Sequence, residues 1–162
     1  MSLAENLKQS TYLGYVAILR ILLGFHFLGT GFEKLFGKFL TGKPLITDLM
    51  RGAPKDPFAL HRSFILGFVV PHVHFFSYLV TFGEIAIGTS LLFGCLVRIS
   101  SCFGAFHNLN ILLAIGWGGP SSVMGINRTF IFLHLVFVLS SAGRVLGVDG
   151  YLHRRFPASI LF

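Results

Sequence analysis

Four uninterrupted apolar runs, at residues 12–36, 73–97, 99–117 and 128–147, constrain the fold more than any other feature of the sequence. A helix needs about 20 residues to cross a hydrocarbon layer about 30 Å thick, and each run reaches roughly that length. Backbone amides in lipid find no water, so each run must satisfy its own hydrogen bonds as a helix. A closed barrel would need short alternating segments, and these runs do not alternate. The first run lacks the charged start and small-residue cleavage site of a signal peptide, so it reads as a retained span. The expected fold is all-α: a four-transmembrane-helix bundle forming one integral membrane domain over residues 1–162.

Charge supports the same reading. Only 12% of residues are charged, about half the roughly 25% of a soluble domain. That is too few for a water-facing surface and excludes a soluble enzyme or a disordered tail. The net charge of +7 would point to nucleic acid in a soluble protein. Here the basic residues lie mostly between the apolar runs, where they anchor spans at lipid headgroups, so the expected partners are lipids and no nucleic acid.

The runs are joined in different ways. Residues 37–63 form the one long polar loop, punctuated by Pro44, Pro54 and Pro57. Within it Leu45, Ile46, Leu49 and Met50 have the spacing of a short helix lying on the membrane surface. A tight turn is expected at Leu96-Val97-Arg98, and Gly116 to Ser122 is a strong breaker sequence. An even number of spans places both termini on one side. The basic residues there are Lys8, Arg98, Arg144, Arg154 and Arg155; Lys34, Lys38, Lys43, Arg51, Lys55, Arg62 and Arg128 lie opposite. This balance leaves the orientation open.

Ionisable groups in hydrocarbon cost at least a few kcal/mol, so they face the bundle interior and mark candidate sites. Arg20, His26, Glu84, His107 and His134 are such residues, with Asn108 and Asn110 as polar companions. At about 1.5 Å rise per residue, His26, Glu84, Asn110 and His134 fall close to one layer near the midplane. Arg20, Gly24, Phe27, Gly31 and Lys34 share one helical stripe; Ser77, Thr81, Glu84, Gly88, Leu91, Cys95 and Arg98 share another. Glycines on both stripes allow close approach, which predicts an Arg20–Glu84 ion pair, and these two are the catalytic candidates. His26 points about 120° from the Arg20 stripe, towards another neighbour or lipid.

His26, His107, His134 and Asn110 are the candidate cofactor-binding residues, the imidazoles as axial ligands of haem or of a chlorophyll-type pigment. No metal centre is expected: His72 and His74 supply two imidazoles without a third ligand, and Cys95 and Cys102 form no CxxC motif.

A family resemblance rests on three segments. Leu19 to Leu28 with Gly31 and Lys34-Leu35, then Gly83-Glu84-Ile85-Ala86-Ile87-Gly88 with Leu91 to Gly94 and Arg98, are the first two. The third is the closing Gly143-Arg144-Val145-Leu146-Gly147-Val148-Asp149. Together they resemble the DoxX/DoxD family of integral membrane proteins. The resemblance implies a four-helix protein of a bacterial or archaeal cytoplasmic membrane, similar to the membrane subunit of thiosulfate:quinone oxidoreductase. It places the family's glutamate and arginines on Glu84, Arg20 and Arg98, and its closing pair on Arg144 and Asp149.

Two readings of function follow. In the first, the chain is a quinone-linked redox subunit, in which Glu84 with a histidine handles protons at a quinone carbonyl. The chain carries no flavin, iron–sulfur or dithiol motif, so electrons would come from a partner subunit or a bound haem. In the second, it is a non-catalytic accessory subunit of a larger respiratory or photosynthetic membrane complex. A small transporter gated by Arg20 and Glu84 has less support, because no broken helix or internal repeat is present.

Overall fold

The computed structural model describes residues 3–161, with side chains from residue 13 onward. Met1, Ser2, Phe162 and the side chain of Lys8 lie outside the described residues. Seven α-helices follow in chain order: α1 Leu3–Phe36, α2 Lys43–Gly52, α3 Ala59–Phe64, α4 Val73–Phe93, α5 Val97–Ile111, α6 Ser121–Ser140 and α7 Val148–Arg155. Short π-helical turns, Ile65–Val69 and Leu112–Gly116, extend α3 and α5. No strand occurs among the described residues.

Among the described residues, four helical segments are long and apolar enough to cross a membrane: Leu13–Phe36, Val73–Phe93, Val97–Gly116 and Ser121–Ser140. The all-helical, four-span architecture is therefore present, and the chain is a multi-pass membrane protein. Two span limits shift from those expected. Gly94 and Leu96 adopt left-handed backbone (φ 65° and 55°), so the turn between α4 and α5 falls three residues before Arg98. Helix α6 begins at Ser121, directly after Pro120, because extended backbone at the proline opens a helix there rather than prolonging the loop.

The 37–63 segment is mostly folded rather than a long polar loop. Pro44 sits in the first turn of α2, where its missing N–H costs nothing. Leu45 and Leu49 turn inward with Ala53 onto Ile65, Val69, Val73 and Ala114, making a second apolar core at this end of the bundle. The surface-helix spacing in Leu45, Ile46, Leu49 and Met50 was thus the correct signal, but the apolar face packs on protein.

The main pairings are α1 with α4 and α5 with α6. Gly24 and Gly88 permit the first. A Cβ on Gly24 would stand 2.8 Å from the Leu92 amide nitrogen, and one on Gly88 2.7 Å from that of Leu28. Backbone-to-backbone approach of this kind is what small residues give helices in lipid. Below this contact Leu23, Phe27, Ile87, Leu91, Val97, Phe137 and Ala142 fill the bundle. Helices α1 and α6 touch far less, and the seam between them is the loose one.

Candidate functional site

Arg20 and Glu84 do not meet. The Arg20 guanidinium is fully buried and donates to the carbonyls of Leu91 (2.6 Å), Leu146 (2.8 Å) and Val145 (3.4 Å). The last carbonyls of a helix have no intrahelical partner, and Leu91 is one of these at the end of α4. Arg20 therefore closes α4 and ties the C-terminal segment to it. The expected ion pair fails because of register: Gly31, not Arg20, packs level with Glu84 and Ile85.

Asp149 does the complementary work at the start of α5. Its two carboxylate oxygens accept the amides of Leu96 (2.7 Å) and Val97 (2.9 Å), and its own amide donates to the Gly94 carbonyl at 2.8 Å. A carboxylate there satisfies orphan amides and opposes the helix dipole. Arg98 donates to the Ile160 carbonyl and the Ser141 hydroxyl, both at 2.5 Å. Arg144 lies in the 3₁₀ turn Ala142–Arg144 beside them. The residues on which the resemblance placed family features thus divide: Arg20, Arg98 and Asp149 hold helix ends together, while Glu84 does something else.

Glu84 lies midway along α4 and is buried. Lys34 Nζ from α1 donates to its Oε2 at 2.5 Å, and His107 Nε2 from α5 lies 3.1 Å from its Oε1. The carboxylate is held between an ammonium and an imidazole, both oxygens engaged. The Lys34 ammonium also stands 5.4 Å from the centre of the Phe39 ring, beneath the 37–72 segment.

These three groups line a cavity of about 150 Å³ whose other polar walls are His26, Thr30, Asn108 and Asn127, with Phe27, Ile111, Ile126 and Phe130 supplying apolar surface. It lies at the loose seam between α1 and α6. Its lining residues His26 and Ile126 are exposed on the outer face of the bundle, within two of the apolar helical segments. The His26 ring packs edge-on against Phe130, centroids 4.8 Å apart, at this edge. His26 thus points away from the Arg20 stripe, as its angular position requires.

The expected polar layer divides among separate environments. His26 and Glu84 share the cavity with His107. Asn110 instead accepts from or donates to nothing in it: its Oδ1 lies 3.0 Å from His61 Nε2, and the other ring nitrogen of His61 bonds buried Asp56. His134 is fully buried, packed on Gly104 and edge-on to Phe27, with neither ring nitrogen hydrogen-bonded to protein. A Cβ on Gly104 would stand 2.3 Å from its ring. That contact leaves no room for a macrocycle on His134, while His107 has its Nε2 engaged by Glu84. His26 is exposed at the edge of the cavity.

Sequence reasoning missed Lys34 as the partner of Glu84. Its signal was present: Lys34 closes the stripe that carries Gly31, one turn above the level of Glu84. Asn127, on the fourth span, gave no signal, because nothing in sequence relates α6 to the cavity.

The family model described as TQO small subunit DoxD matches residues 15–160. Searches of curated proteins and of solved structures find no match. The matched region includes Arg20, Lys34, Glu84, His107 and Asp149, that is, both the helix-end clamps and the cavity, and the chain belongs to the DoxD family.

Proposed function

We propose that the chain is the quinone-binding membrane subunit of a redox complex in a bacterial or archaeal cytoplasmic membrane, with the Glu84 cavity as the headgroup site. The observation that carries this reading is a buried carboxylate, held by an ammonium and an imidazole, facing a cavity whose lining residues His26 and Ile126 are exposed on the outer face of the bundle. A lipid-soluble substrate reaches such a site from within the membrane. The cavity volume of about 150 Å³ is smaller than the roughly 300–1000 Å³ of pockets that enclose a whole drug-sized ligand, so it suits a single ring with the tail left in lipid.

A quinone, when bound, supplies the electron-accepting ring; the chain's own residues bind and protonate. Lys34 and His107 would donate to a ring carbonyl held in this cavity, and Asn108 and Asn127 offer amides. Glu84 orients the first two and relays a proton to His107 when His107 gives one up. Phe27 and Phe130 supply faces for the ring. Electrons enter from a partner subunit, since the chain carries no flavin, iron–sulfur or dithiol motif.

The test is binding of decylubiquinone to the full chain in lipid nanodiscs, followed by quenching of the Trp117 fluorescence or by equilibrium dialysis. Saturable binding that weakens in Glu84→Gln and Asn127→Leu, but not in Asn110→Leu, supports the site. Binding unchanged in both cavity variants refutes it.

One observation favours the accessory-subunit reading as well. An apolar groove of about 580 Å³ runs along the outer side of the α4–α5 hairpin, lined by Ala86, Phe93, Leu96, Ile99 and Phe103. A partner helix seated there would make this chain an assembly subunit whether or not it turns over substrate. A fixed stoichiometry with one membrane subunit after mild-detergent purification, combined with no quinone binding, would favour it.

A further inference from the structure

Lys34 and His107 are not equivalent partners of Glu84. Lys34 stands near the C-terminal end of α1, with about a quarter of its side chain exposed beneath Phe39. His107 lies on the inner side, next to Phe27. The hydrogen-bonded chain therefore begins at the face of the membrane that carries residues 37–72 and ends within the bundle.

Towards the opposite face the bundle is closed. Leu23, Phe27, Ile87, Leu91, Val97 and Phe137 fill the space below Glu84, each no more than 6% exposed. His134 is buried in this plug, edge-on to both Phe27 and Phe137. Beyond the plug stands the buried Arg20 guanidinium, fixed by three carbonyls. A fixed, buried cation opposes the approach of a proton from that face.

We propose that Glu84 exchanges protons with water on only one face of the membrane, the face carrying residues 37–72, by way of Lys34, and that His107 is the inner end of that route. One proton moves and no electron does. Lys34 Nζ passes a proton to Glu84 Oε2 and regains one from water at its own face. The protonated carboxyl group then turns about its Cγ–Cδ bond, which brings that O–H to face His107, and the proton passes to the unprotonated Nε2, leaving the carboxylate to accept the next. The other titratable groups facing this route are His26 of α1, at the cavity edge, and His134 of α6, which shares Phe27 with His107 and lies within electrostatic reach of it; α5 adds Asn108 and α6 adds Asn127, both neutral. The inference rests on the Glu84 cavity being the reacting site for its purpose: protons consumed there would be drawn from one side, making the reaction vectorial.

The experiment uses the full chain inserted in one orientation in lipid vesicles, with the carboxyl stretch of protonated Glu84 followed by infrared spectroscopy after a pH step. The band is assigned by its loss in Glu84→Gln. A step on the 37–72 face should move the band about ten-fold or more faster than a step on the opposite face, a barrier difference of about 1.4 kcal/mol. Lys34→Gln should remove most of that difference. Equal rates from the two faces, a faster response from the terminal face, or no response from either overturns the proposal. Decylubiquinone binding is measured on the same vesicles. One-sided exchange without binding overturns only the quinone reading, and binding with two-sided exchange overturns only the proton route.

Discussion

Arg20 donates to the carbonyl of Leu91 at 2.6 Å, across the contact between α1 and α4, at the turn where α4 runs out of amide partners. A residue that composition marks as a candidate for chemistry thus closes a helix end. Its long side chain and five donors let one guanidinium serve carbonyls of two segments, from α4 and from the stretch before α7.

Removing it should be costly. Arg20→Leu leaves the Leu91 and Leu146 carbonyls unbonded in the bundle, and a loss of about 3 kcal/mol is expected from two buried acceptors at about 1–3 kcal/mol each. Arg20→Lys should recover less than half, because an ammonium cannot fork to both. Unfolding of the variants in mixed micelles, followed by circular dichroism, measures this.

The partner of Glu84 can be identified by coupling. Glu84→Leu should destabilise the bundle by about 2 kcal/mol, a value reduced from that of a fully buried pair because Lys34 is partly exposed. Adding Lys34→Met should restore part of that loss, while adding Arg20→Leu should give an additive effect. Restoration by Arg20→Leu instead would mean that the two stripes pair as the sequence alone predicts.

Asp149 should behave as a helix cap with a charge. Asp149→Ala strips the Leu96 and Val97 amides, at the start of α5, of their acceptor and is expected to cost about 2 kcal/mol, at the upper end for a lost N-cap. Asp149→Asn should cost less, since one oxygen remains. Quinone binding, measured alongside stability, should survive both variants in the folded fraction.

Helix approach at the first pairing can be tested with single methyl groups. Gly88→Ala places a Cβ 2.7 Å from the Leu28 amide and should cost about 1–3 kcal/mol by overpacking. Gly29→Ala meets nothing within 4 Å and should be neutral or slightly stabilising. Equal effects of the two in the same unfolding assay would contradict the close contact of α1 and α4.

Hydrophobic length and glycine spacing made much of this architecture legible. The number of spans follows from the cost of unbonded amides in lipid, which leaves a long apolar run no choice but a helix. The stripe through Gly24 and Gly31 also marked the face that packs on α4, since only small residues let backbones come so near. The 37–63 stretch was harder. Its prolines read as loop, yet Pro44 begins a helix and Leu45 and Leu49 pack on the π-turn segments of distant sequence. Nothing local distinguishes an apolar face meant for lipid from one meant for protein.

The sequence by itself determined that this chain is a four-span membrane protein, because burial of backbone and side chains in lipid depends on run length and composition alone. It also singled out Glu84 as a charge that must have a partner. Which partner was decided by tertiary structure: an offset of about four turns of α1 separates Arg20 from Lys34, and only the packing of Gly31 at Ile85 sets which of them Glu84 meets. The gathering of His26, His107 and Asn127 around that carboxylate, and the exclusion of Asn110 and His134 from it, follow from how helices rotate against one another. Rotation depends on contacts among four helices at once, and no single helix encodes it.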